Sequence, residues 1–356
     1  MADSVHHRRD QSITITQPLI DLGIVADILS SGDKEDIAKF DQRDVREGVA
    51  FETASAYLNL LQARIAVRLA EEYKRYLDNL AARIKARVEG GGAPAADLER
   101  IRSRSSIADG ARIEALGEYE TQLAEFRRLT KITPPELAIP KTLAPAIPGD
   151  MEQAMEAALK ANPTYMSGLK KIDLATDDRN KSYSGLLPKL SFQYSNTYAY
   201  NAGDVAHANE TDGTVFPEQK TQNVMLVAQW ALYGGTSITG GLSGAAKERE
   251  MNFRALDIRA RLEQGIRSSY TSINAGRDRL AALRKTIEAN ERVVEGFEYQ
   301  FTNGTRSLFD LLDSYEQLYS ARLNFVRVTV ACAKASYQVH RQMGQLIPAI
   351  VGAEER

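Results

Sequence analysis

Apolar side chains recur at strict seven-residue intervals over two stretches, Ile266, Ile273, Leu280, Ile287, Val294 and Phe301, then Leu311, Leu318, Phe325, Cys332, Val339 and Leu346. A seven-residue period keeps one stripe turned toward a neighbouring helix. Both stretches therefore predict long amphipathic helices, and the decapeptide Gly-Thr-Arg-Ser-Leu-Phe-Asp-Leu-Leu-Asp at 304 to 313 breaks the pattern between them. An ordinary coiled coil shows the same stripe, so the periodicity leaves the partner of each helix open.

The chain before these helices alternates between the two periods. Residues 12 to 20, Ser-Ile-Thr-Ile-Thr-Gln-Pro-Leu-Ile, alternate apolar and polar and predict a strand, with Pro18 suited to its end or to a sheet edge. From about Asp21 to Val88, Leu61, Ile65, Leu69, Tyr73, Tyr76, Leu80, Ile84 and Val88 follow at spacings of three and four. The uninterrupted part, Asp36 to Glu89, would reach about 80 Å at 1.5 Å per residue. Gly90-Gly91-Gly92-Ala93-Pro94 ends this rod, because glycine suits a helix C-terminus and proline the first turn of the next. A second helix is expected from Ala95 to about Leu129. Pro134, Pro135, Pro140, Pro145 and Pro148 mark 131 to 150 as an extended connector. A short helix to Lys160 and another from Asn162-Pro163 to Gly185 follow. After Leu187-Pro188, Leu190, Phe192, Tyr194, Tyr198 and Tyr200 alternate with polar residues as a second strand, broken only by Asn196. Residues 201 to 222 are polar and turn-rich, and Val224 to Tyr233 predicts a third strand. That strand is apolar on both parities, which leaves its lipid-facing or core-facing side open.

The pattern occurs twice. Gln17-Pro-Leu-Ile-Asp-Leu-Gly23 aligns with Gln229-Trp-Ala-Leu-Tyr-Gly-Gly235 at an offset of 212, and Gly91 to Asp97-Leu98 aligns with Gly304 to Asp310-Leu311 at 213. Each module is a strand, a long helix, a glycine turn, an Asp-Leu pair and a return helix. The segments expected are a polar N-terminal tail at 1–11, a first and incomplete repeat with its connector at 12–150, a second repeat at 151–347 and a C-terminal tail at 348–356. The helix and strand at 163 to 200 would have their own counterpart about fifty residues before Met1.

Composition narrows the function classes. With 45 Lys and Arg against 47 Asp and Glu in 356 residues, the net charge of −2 carries no nucleic-acid footprint. Cys332 is the single cysteine, so no internal disulfide forms, and its place on the apolar stripe reads as a core thiol. His6, His7, His207 and His340 are tail or isolated residues, and no metal site is expected. No phosphate loop, nucleophile elbow or His-carboxylate cluster is found, so neither catalysis nor a cofactor is expected. The first ten residues lack the apolar core of a secretory signal, and no run approaches the ~20 apolar residues of a spanning helix. A membrane would be crossed by strands of a closed barrel.

The chain resembles the TolC-type outer membrane efflux proteins, the exit ducts of tripartite pumps and type I secretion systems. The resemblance lies in Gln-Pro-Leu-Ile-Asp at 17 to 21, Asn162-Pro163, Leu187-Pro188, Leu-Tyr-Gly-Gly at 232 to 235, the decapeptide at 304 to 313 and Gly344-Gln-Leu346, spanning residues 12 to 346 in family order. It implies a mostly α fold with a small β part: long helical hairpins forming a trimeric periplasmic α-barrel joined to a shared outer membrane β-barrel. It also implies a passive channel that works as a homotrimer with a periplasmic adaptor (membrane fusion) protein and an inner membrane ABC or proton-driven pump. The family pattern has four strands per protomer; three are read here. The rival reading is a soluble coiled-coil scaffold or a duct fragment that does not insert.

By matching position, the resemblance makes Arg306 and Asp97 members of the network that closes the duct, and Asp310 and Asp313 an acidic ring at its constriction. Gly91 and Gly304 would make the tip turns. Asp310 and Asp313, three apart, share one helix face. Phe301 stands where the family's tip network commonly has a tyrosine, so a hydroxyl link is absent there. The plain alternative is that Asp97, Asp310 and Asp313 stabilise helix N-terminal turns, worth about 0.3–1 kcal/mol each.

Overall fold

The computed structural model describes residues 9–134, 137, 143–200, 219–231 and 235–354. The chain forms β1 (Arg9–Ile20), α1 (Leu22–Glu89), α2 (Ala95–Thr130), α3 (Met151–Ala161), α4 (Pro163–Ser184), β2 (Lys189–Tyr200), β3 (Gln219–Gln229), α5 (Gly235–Thr302), α6 (Leu308–Gln342) and α7 (Leu346–Glu354). The duplication is visible in the lengths: α1 and α5 have 68 residues each, and α2 and α6 have 36 and 35. Contacts group the chain into two compact units, one of Met1–Lys39 with Ser167–Leu256, the other of Phe40–Met166 with Asp257–Arg356. Each unit draws on both repeats.

The first unit is built on an antiparallel sheet in the order β1-β2-β3. Pro18 is tolerated because β1 is an edge strand, and the register shifts between Pro18 and Ile20. Ile15 pairs with Tyr194, which pairs with Val224, and Phe192 pairs with Leu226. Residues directly opposite point to the same side. One face therefore carries Ile13, Ile15, Phe192, Tyr194, Val224 and Leu226, and the other Ser12, Thr14, Thr16, Ser195, Thr197 and Thr221 together with Met225 and Val227. The register thus places Val224 and Leu226, not Met225 and Val227, on the side that Ile13, Ile15, Phe192 and Tyr194 share. Among the described residues this apolar face is exposed: Ile13 is 67% exposed and Leu226 68%.

Several boundaries differ from expectation. Residues 9–11, read as tail, are strand; residues 1–8, with His6 and His7, lie outside the described residues. Gln219 to Gln222, read as loop, begin β3, because Thr197 and Tyr198 offer a ladder to Thr221 and Lys220 and pairing outweighs polarity. β3 ends at Gln229, before Trp230, whose indole N–H donates to the Leu186 carbonyl at 3.0 Å. The rest of the polar loop, 201–218 with His207, lies outside the described residues, as do 232–234 of the Leu-Tyr-Gly-Gly motif and Pro135 and Pro140 of the connector. The stripe after the second tip is not one helix through Leu346: a turn at Gly344 separates α6 from α7. The stretch read as a C-terminal tail, 348–356, is helical as far as Glu354.

The second unit has its apolar stripes turned inward. Leu60 and Ala56 on α1 meet Leu123 and Phe126 on α2, while Leu58, on another side of α1, meets Val330 and Ala333 on α6. Ala154 and Ala158 of α3 pack on Leu262, Ile266, Tyr270 and Ile273 of α5. Cys332 is half-buried against Gly276, and burial pushes its thiol up. The buried Glu47 accepts the Leu346 N–H at 2.9 Å, and Arg43 donates to the Gly344 carbonyl at 2.8 Å, so α1 anchors the start of α7.

The connector is tied down by two side chains. The Tyr270 hydroxyl donates to the Pro148 carbonyl at 2.8 Å, and Nε2 of His340, 6% exposed, lies 3.1 Å from the Ala146 carbonyl. Burial holds the His340 imidazole below its ordinary range, against the pull of the two carbonyls beside it. The unfolded chain then binds more protons than the folded one as pH falls through about 6.5. This contribution to stability is complete above that pH and is lost on acidification. The thermal midpoint of the wild type is expected to fall more steeply between pH 7.5 and 5.5 than that of His340→Gln; parallel slopes would remove His340 from the pH dependence.

Candidate functional site: the paired helical tips

Two helical turns close the hairpins, and their backbones are superimposable in hydrogen-bond pattern. Gly91 N–H bonds Val88 O at 3.0 Å and Gly92 N–H bonds Arg87 O at 2.7 Å; Gly304 N–H bonds Phe301 O at 3.1 Å and Thr305 N–H bonds Gln300 O at 3.0 Å. Gly91 and Gly304 sit at φ +70 and +77, the left-handed conformation such a helix end requires. Pro94 and Ser307 then take the N-cap positions of α2 and α6; the Ser307 hydroxyl accepts the Asp310 N–H at 3.2 Å. Asp97 and Asp310 occupy the third position of their helices, where the helix dipole favours carboxylates.

Behind the turns both hairpins share one apolar core. Leu77, Leu80 and Ile84 of α1, Ile101 and Ala108 of α2, and Leu308, Leu311 and Leu312 of α6 are at most 4% exposed, and Phe297 and Phe301 of α5 pack against them. Tyr76 stacks on Tyr315 with ring centroids 3.2 Å apart, and Tyr73 on Tyr319 at 4.8 Å. Burial raises these phenols, that of Tyr73 to about 12, so they are neutral at physiological pH.

The polar side chains ring this core. Arg306 Nε lies 3.2 Å from Asp310 Oδ2, without the alignment of a hydrogen bond, and its guanidinium carbon is 3.8 Å from the centre of the Phe297 ring. The structure thus brings Arg306 and Asp310 together within one tip, while Asp97 stands at the matching place on the other. Asp313 accepts from the Gln317 side-chain amide at 2.7 Å. Phe301, lacking a hydroxyl, receives the Arg87 guanidinium over its ring at 5.4 Å, and Arg83 Nη2 reaches Glu298 Oε1 at 3.0 Å. Arg83, Arg87, Glu298 and the tyrosine pairs were not singled out from sequence. Their spacings of four and three are surface-helix spacings, and only the packing of α1 on α5 and α6 makes them partners. Among the described residues no group of three or more His, Cys, Asp or Glu is placed to hold a metal.

Residues 154–345 match the family model described as outer membrane efflux protein. The chain is 20% identical over 308 residues to the outer membrane efflux protein BepC of Brucella suis biovar 1, covering 85% of this chain and 65% of that protein. It is 24% identical over 274 residues to the alkaline protease secretion protein AprF of Pseudomonas aeruginosa, covering 75% and 55%. The chain thus spans less than two thirds of the length of these curated relatives. Among solved structures, the CmeC outer membrane channel of Campylobacter jejuni shares the fold with a TM-score of 0.77 at 14% identity, covering 96% of this chain and 78% of that one.

Proposed function

Because the chain belongs to the outer membrane efflux protein family, we propose that it is a passive, non-enzymatic exit duct of the bacterial outer membrane, for drug efflux or type I protein secretion. Its sheet contributes to a β-barrel shared by three protomers, and its helical hairpins extend into the periplasm, where a periplasmic adaptor and an inner membrane pump engage them. The pump supplies the energy.

The observation that carries this reading is the apolar face of the sheet, exposed among the described residues. No helix among the described residues is long and apolar enough to cross a membrane. The strands have the dimensions for it: the nine steps from Lys189 to Tyr198, at ~3.3 Å each and tilted ~40°, rise about 23 Å, close to the ~25 Å apolar band of outer membrane barrels. Tyr198 and Tyr200 stand at one end of that band and Trp230 at the other, as interfacial aromatics do. Val224 and Leu226 then face lipid with Ile13, Ile15, Phe192 and Tyr194. AprF, a secretion protein by name, and BepC, an efflux protein, support the two cargo classes equally.

At the tips, Arg306 is the candidate lock, Asp97 its candidate neighbour in the closing network, and Asp310 with Asp313 the constriction. The test is conductance of the trimer reconstituted in planar bilayers. Channels that open from a low resting conductance support the duct, and Arg306→Ala is expected to raise that conductance several-fold. Vesicles that exclude the protein would return it to a soluble coiled-coil role; an unchanged conductance in Arg306→Ala would remove that residue from the gate.

A further inference from the structure

We propose that Arg83 and Arg87 latch the first hairpin to α5 within a single protomer and hold its two tips at one spacing, so that opening the duct requires this latch to yield. The two arginines are four residues apart on α1 and face the same way; their partners, Glu298 and Phe301, are three apart on α5 and face back. Arg83 makes the 3.0 Å ion pair, and Arg87 lies over the phenyl ring 5.4 Å from its centre. Glu298 is shared: its carboxylate also acts on the Tyr315 phenol of α6, which stacks on Tyr76 of α1. Arg104 of α2 likewise pairs with Glu316 of α6 at 2.7 Å. Each helix of the first hairpin is thus tied by an arginine to a glutamate of the second. Phe301 supplies the ring, and a guanidinium bound to an aromatic face needs no hydroxyl.

Both partners of the Arg83 pair are partly exposed, 48% and 36% by side chain, so the pair contributes modestly while its reversal introduces a like-charge contact at the same place. That asymmetry defines the experiment. Hydrogen exchange is measured on the purified full chain as wild type, Arg83→Glu, Glu298→Arg and the double exchange. Amides of 84–98 and 297–310 are expected to exchange about fivefold faster in each single variant and to return toward wild type in the double, with the global thermal midpoint unchanged. Wild-type exchange in the singles, or no recovery in the double, overturns the latch. The link to opening rests on the duct reading and is read separately: the same four proteins in bilayers should show conductance raised in the singles and restored in the double. Recovery of exchange with conductance insensitive to all three variants overturns the coupling to the gate. Recovery of exchange from a protein that forms no channel upholds the latch and defeats the duct.

Discussion

Leu311→Ala is expected to destabilise the tip by about 2–5 kcal/mol, the range for truncating a fully buried leucine. Leu311 has no exposed surface and lies where α1, α2, α5 and α6 converge, with Leu77, Leu80, Ile84 and Ile101 as its buried companions. Long helices held only by their own hydrogen bonds would adapt to the loss, but four helices meeting at one point have little freedom to close the cavity. Native-state hydrogen exchange is the measurement, because a chain of two compact units need not unfold in one step. Loss of protection should be concentrated in the tip segments of α1, α2, α5 and α6. The duplicate residue, Leu98, is only partly buried against the same cluster, so Leu98→Ala should cost less. A cost below about 1 kcal/mol at Leu311, or an equal cost at both positions, would mean that the two hairpins do not depend on a common core. That common core also bears on function: a gate that separates the hairpins of one protomer must expose these leucines, whereas one that tilts them together need not.

The fold was legible in the sequence wherever a local period governs it. Of the seven-residue stripes, Ile266, Ile273, Val294, Leu311, Leu318, Val339 and Leu346 are buried, and Leu280, Ile287, Phe301, Phe325 and Cys332 are half-buried. The glycine turns were legible because one backbone conformation is demanded at Gly91 and Gly304, and the repeat offset pairs them. What failed was whatever depends on a partner distant in sequence. Gln219 to Gln222 read as loop because their composition is polar, yet a strand opposite them decides their conformation. The parity of the third strand was undecidable from Val224, Met225, Leu226 and Val227 alone, and a single pair, Tyr194 with Val224, resolves it. At the second tip only Leu311 lies on a seven-residue stripe; Leu308, Leu312, Tyr315 and Tyr319 stand off it, and the packing of α1 and α2 on α6 is what buries the leucines and stacks the tyrosines. Arg83 and Arg87 had no signal of their own, since two basic residues near a helix C-terminus are what the dipole favours in any case.

Removing both carboxylates of the proposed constriction, Asp310→Ala with Asp313→Ala, should abolish cation preference and weaken block by multivalent cations about tenfold or more. Threefold symmetry would bring the copies of these side chains together around one axis. Two charges ~8 Å apart interact by about 2 kcal/mol at an effective dielectric of ~20, so several carboxylates sharing a narrow bore build a strong site for cations and repel one another without them. The two positions are not equivalent. Asp310 is held 3.2 Å from Arg306, which offsets its charge, while Asp313 is bonded to a neutral amide and keeps its charge in full. Asp313→Ala alone should therefore remove more selectivity than Asp310→Ala alone. Arg306→Ala should raise cation selectivity along with conductance, because it releases the Asp310 charge into the bore. Reversal potentials in asymmetric salt, recorded for the four variants, separate these outcomes. Equal losses at 310 and 313 would show that the Arg306 pair does not persist in the assembled duct. Selectivity retained in the double variant would move the filter away from the tips, leaving both aspartates with the lesser role of favouring the first turn of α6.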